Sequence, residues 1–270
     1  MYEPINLTKE IVQANAKDIY KDAAQPSIRV VGQSLAQCVS LFAKPVGKIA
    51  EIMEANIMKY LNKLNDYTQE QIKSPDVRIL VPILEKFRYI EDDYVADYYA
   101  EILAKASLVE NANQVIVSFI EILNRLCADE LKILEFINSD DNIFIYKNKE
   151  GEEEKMSFKG VLPVIDVRVK QKNGGHIETL QNLSYLEDHV QLTCIINYNL
   201  YIDNLISLGL IKKPSLVKVL NDFHYSYLKE NNSIQKLKNN LQEGQSLEFV
   251  EGRLALTSLG ESLLSISLKK

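Results

Sequence analysis

The chain has 270 residues, 46% hydrophobic and 25% charged, with a formal net charge of −6. This is a globular composition long enough for one large or two ordinary domains, and its negative balance excludes general attraction to polyanions. The N-terminus lacks the basic start and apolar core of a signal peptide, and no run of about 18 apolar residues could span a membrane. Three scattered cysteines (Cys38, Cys127, Cys194) without a CxxC pair suit a reducing compartment. A soluble cytoplasmic protein is expected.

With only 10 Gly and 7 Pro, the chain favours helices over tight turns. Thr8 can cap a first helix over residues 6–24, which Pro26 interrupts. Val30–Ala43 carries no charge. Gly32, Ala36, Ser40, Ala43, Gly47 and Ala50 recur at spacings of three and four, which places small residues on one helix face and marks a candidate helix–helix contact. The contact could be internal, between copies of the chain, or with a membrane. Gln33, Ser34, Gln37 and Ser40 count against a stable lipid-facing helix. Ile49, Ile52, Met53, Ile57, Tyr60, Leu61 and Leu64 predict a helix over 46–72, roughly 40 Å long at about 1.5 Å per residue.

Further helices are predicted after Ser74-Pro75-Asp76, after Glu91-Asp92-Asp93, over Val115–Leu126 and over Asp129–Asn138. Beyond Ser139 the texture turns β-rich. Ile143–Tyr146 and Met156–Phe158 flank a charged turn and read as a hairpin, and Val161–Val169 is a further β run closed by Asn173-Gly-Gly175. Helical period returns near Leu192–Leu208, and 215–242 reads as one or two polar helices. The helix ending in Leu208-Gly-Leu-Ile211, with the closing Leu256-Thr-Ser-Leu-Gly260, is typical of the third helix, last strand and last helix of a winged helix.

The motifs Ile79-Leu-Val-Pro-Ile-Leu-Glu85, Glu91-Asp-Asp93, Tyr98–Ala106, Ser118–Leu126, Asp129–Leu134, Asn204–Ile211 and Leu256–Gly260 follow in this order. On them the chain resembles the Abi-alpha (abortive infection alpha) family of bacterial phage-resistance proteins. The resemblance implies a part in phage defence, and it supplies no catalytic residues to carry over. Against that pattern, 139–185 and 213–250 read as insertions.

The remaining constellations favour bland roles. Gln191–Leu208 has no Lys or Arg, so a nucleic-acid reading would rest on Lys212, Lys213 and Arg253, too few for duplex binding. Asp93, Asp97 and Glu101 share a helix face, readable as a cation site or as a solvated or Arg-paired row. His176, His189 and His224 have no metal-site spacing. No Walker, GxSxG, HExxH or GxGxxG motif occurs, so neither cofactor nor metal is expected. The expectation is therefore a mainly α protein. A long-helix bundle over 1–127 precedes a winged-helix-like α+β region over 128–270, with a β-rich insertion. It would be a non-enzymatic, homo-oligomeric defence protein that contacts a phage or host protein. The alternatives are a nucleic-acid-binding regulator and a membrane-active effector working through residues 30–50.

Overall fold

The computed structural model describes residues 31–32, 35, 47–140, 142–147, 153–215, 217–219 and 222–268. The chain divides into two compact units, residues 1–128 with 265–270, and residues 129–264.

In the first unit, α1 (Lys48–Asn62) and α2 (Val77–Phe87) bury one apolar side each, α3 (Asp93–Ala106) is buried all round from Tyr98 to Ala104, and α4 (Ser118–Leu123) buries four of its six residues. Asp76 and Asp92 cap α2 and α3 by accepting backbone N–H groups of the first turn. Asn56 of α1 is buried and donates to the carbonyls of Phe87 and Ile90 at 3.0 and 2.9 Å, satisfying the end of α2. The acidic row is paired. Lys59 lies 3.3 Å from Asp93, Lys63 lies 3.1 Å from Glu101, and Lys105 lies 3.7 Å from Glu101. Among the described residues no cluster could hold a metal ion.

The second unit opens on α5 (Ala128–Asn138) and a hairpin, β1 (Ile143–Lys147) with β2 (Glu153–Ser157). Its centre is an antiparallel sheet of four strands in the order β4-β3-β6-β5. These are β3 (Val161–Lys170), β4 (His176–Leu183), β5 (Ile211–Lys212) and β6 (Ser246–Leu256). Between them run α6 (Leu186–His189), a 3-10 turn (Ile195–Asn197) and α7 (Tyr198–Ser207), then α8 (Asp222–Lys229) and α9 (Asn232–Asn239). The last helix is α10 (Ser258–Ser267).

The expectation of a mainly α protein, a long-helix bundle followed by a winged-helix-like region, is overturned: the fold is mixed α/β, with about 50% of the described residues in helix and 18% in strand. Two physical causes account for it. First, β3 pairs with β6 continuously from Val161↔Ala255 to Lys170↔Ser246. The segments read as insertions thus supply β3, β4 and part of β6, and they build the sheet. Second, the helix expected over 46–72 stops at Asn62. Asn62, Asn65 and Asp66 favour turns, because their side chains compete for the backbone.

The Leu-Gly-Leu and Leu-Thr-x-x-Gly motifs have a direct packing role. Thr257 Oγ1 donates to the Gly209 carbonyl at 2.6 Å and accepts from the Gly260 N–H at 3.1 Å. The Thr257 N–H donates to the Leu210 carbonyl at 3.0 Å. Gly209 sits at φ +71°, and a Cβ on Gly260 would collide with the Leu210 carbonyl. Glycine is required at the first position by conformation and at the second by closeness of approach.

Candidate protein-contact face

α7 buries Tyr198, Tyr201, Ile202 and Leu205 at helical spacing. Its outward side is mixed, with Leu200 and Ile206 exposed among Asn199, Asp203 and Ser207. Leu200 is 64% exposed, and in the preceding turn Ile196 is 91% exposed and Ile195 is exposed as well. From Gln191 to Ile211 the single charged residue is Asp203, which is exposed. Among the described residues it makes no ion pair. A surface helix normally turns charge to water on this side. Here Leu200, with Ile195 and Ile196 of the preceding turn, forms an exposed apolar group, the ridge, and the segment carries one unneutralised carboxylate.

A polar frame holds the ridge. Asp129 is 3% exposed and accepts from the Thr193 N–H at 2.9 Å, the Cys194 N–H at 3.0 Å and the Tyr201 hydroxyl at 3.2 Å. Burial opposes ionisation of this carboxyl, yet the hydrogen bonds outweigh burial and hold it below the ordinary carboxylate range. They also keep Thr193 and Cys194 out of a helix, so the helix expected from Gln191 begins at Tyr198. Asn204 donates to Glu130 at 2.6 Å. At the other end, Asn199 accepts from Asn182 at 3.2 Å. Asn182, at φ +52°, donates its N–H to Asp166 at 2.8 Å.

Two concavities flank this frame. A groove of about 310 Å³ runs between β4 (Glu178, Gln181, Leu183) and Ile195, Ile196 and Asn199. A wider cleft of about 860 Å³ is lined by Lys132, Phe136, His189 and Thr193 among others. In it His189 stacks on Phe136 at 5.5 Å and meets Tyr185 edge-on at 5.6 Å. Lys132 turns to the Gln191 carbonyl and to Asp129, at 3.3 and 3.5 Å.

The three expected nucleic-acid cations do not share one face. Lys212 is opposite Ala255 on β6, two residues from Arg253, so these two share a sheet face. Lys213 lies on the other face beside Gly252. There its ammonium donates to both Asp166 oxygens and to Asn182, each at 2.7 Å. Of the small-residue stripe, Ala36, Ser40 and Ala43 lie outside the described residues. Gly32 is helical and half-buried, and Ala50 is in the first turn of α1. Gly47 precedes that helix at φ +61°, so one helical face does not run through it. Sequence reasoning noted the missing cations of α7 but not its exposed ridge. A count of apolar residues on both sides of the helix could have found it.

A family model described as "Abortive infection alpha" matches residues 52–267. No curated protein matches the chain. Among solved structures, the chain is similar to an uncharacterized protein from the hydrocarbon-degrading marine bacterium Alcanivorax borkumensis SK2. The identity is 17%, over 58% of this chain and 96% of that one, with a TM-score of 0.33.

Proposed function

The chain belongs to the abortive infection alpha family, which supports a role in phage defence, and from that premise we propose that it acts without catalysis, by docking its α7 ridge on another protein. The observation that carries this reading is the exposure of Ile196 and Leu200 on a segment with no cation. Large exposed apolar side chains grouped in sequence are candidates for a contact surface, and large apolar anchors dominate binding at such surfaces. The fitting partner is a phage or host protein that surrounds a Lys or Arg with apolar side chains. Its cation meets Asp203 while its apolar rim covers the ridge. Duplex nucleic acid is a poor fit, because phosphate contacts need several cations and α7 offers none. No described helix is long and apolar enough to cross a membrane, and we place the action in the cytoplasm. We also propose that the protein self-associates.

The test is plating efficiency of phages on cells expressing wild type, Leu200→Asp or Asp203→Lys, with melting temperatures of the purified proteins. Protection falls by roughly tenfold or more for each variant at unchanged melting temperature, as losing one anchor of about 1.5–3 kcal/mol implies. Full protection by both variants would remove the ridge from the mechanism.

A further inference from the structure

We infer that β4 is the self-association edge, pairing antiparallel with β4 of a second copy about a two-fold axis at Ile177. The inference deepens the proposed self-association and rests on it for the existence of a dimer. β4 ends the sheet order among the described residues, with β3 on its one paired side. The Gln171 N–H donates to the Gly175 carbonyl at 2.7 Å at the neck of the β3–β4 hairpin. From there the register runs Lys170↔His176, Val169↔Ile177, Arg168↔Glu178 without a shift. Bonded and non-bonded pairs alternate in an antiparallel ladder. His176 and Glu178 therefore turn their N–H and C=O groups away from β3, toward the open edge.

A second copy centred on Ile177 sets His176 against Glu178 of the other chain, twice. All four open N–H and C=O pairs are then used. The side chains agree with this register on both faces. On one face Leu247, Val169 and Ile177 stand side by side across β6, β3 and β4. Ile177, 60% exposed, ends that apolar row and would meet its own copy. On the other face Arg168 pairs with Glu178 at 3.0 Å. Beyond Glu178 would come the His176 imidazole and then Lys170 of the second copy, so the acidic group lies between donors on both sides. Centring the axis on Glu178 would instead oppose two carboxylates, which is unfavourable. So short a contact buries far less than the roughly 1,200 Å² of a stable interface. The dimer is therefore concentration-dependent.

Sedimentation equilibrium of the full chain over a concentration series tests this. Wild type rises from 30.8 kDa toward twice that mass. Glu178→Pro, which removes the edge N–H from both copies of a strand position that tolerates proline, weakens dimerisation by roughly tenfold or more. Glu178→Ala keeps that N–H and weakens it by no more than about threefold. Ile177→Cys forms an intermolecular disulfide under mild oxidation where wild type does not, since a non-bonded pair with Cα atoms about 4.5 Å apart suits the bridge. A dimer unaffected by Glu178→Pro, or an Ile177→Cys dimer that does not cross-link, overturns the β4 interface and leaves self-association standing. A wild type that stays at 30.8 kDa throughout overturns both.

Discussion

Replacing Asp129 by Ala should loosen the segment that presents the ridge. The change leaves the N–H groups of Thr193 and Cys194 and the Tyr201 hydroxyl without their acceptor. An orphaned buried donor costs about 1–3 kcal/mol, and water entering from the adjoining cleft recovers part of that. The net loss expected is about 3–5 kcal/mol. At about 2–4 °C per kcal/mol for a chain of this size, the melting temperature drops by roughly 8–15 °C. Asp129→Asn retains one carbonyl acceptor and should lose about 2 kcal/mol. Urea unfolding gives the energies, and hydrogen exchange localises them, with faster exchange across 190–201. The pH dependence has a definite sign. The folded carboxyl titrates below its unfolded value, so its contribution is fully present above the unfolded pKa of about 3.9. It is lost as pH falls through the folded pKa. The gap between wild type and Asp129→Asn is therefore constant from about pH 7 to 5 and narrows below about pH 4. An Asp129→Ala protein within about 1 kcal/mol of wild type, with unchanged exchange at 190–201, would refute this account of what holds α7.

Other substitutions probe the frame and the alternatives. Gly260→Ala drives a methyl group into the Leu210 carbonyl and should cost about 2 kcal/mol or more by thermal denaturation. Lys213→Ala leaves the Asp166 carboxylate, whose side chain is 17% exposed, without its ammonium. It should lower stability by about 1–3 kcal/mol, while fluorescence anisotropy shows no specific duplex affinity in either protein at low salt.

Much of the first unit was legible locally. Asp76 and Asp92 announced helix starts, and the spacing of Ile79, Leu80, Ile83, Leu84 and Phe87 fixed a buried face. The partners of the acidic row, lysines where arginine was expected, were hidden because Lys59 and Lys63 lie on another helix, and nothing local ties them to Asp93 or Glu101. The sheet was hidden for the same reason. The β-rich texture of 161–169 was visible, but the β3–β6 register joins residues far apart in sequence, so the segment looked like an insertion. In α7, the absence of Lys and Arg was plain. The delayed start was not, because it depends on Asp129, which sits far upstream on α5.

The central claim is that defence depends on the α7 ridge, and plating of phages on cells carrying Ile196→Ser with Leu200→Ser tests it against a matched control. The control replaces Val77 and Val109, exposed apolar residues of the other unit, by Ser. The account predicts that the ridge variant loses protection while the control keeps it, both at the wild-type melting temperature. Equal protection by the two variants would contradict it.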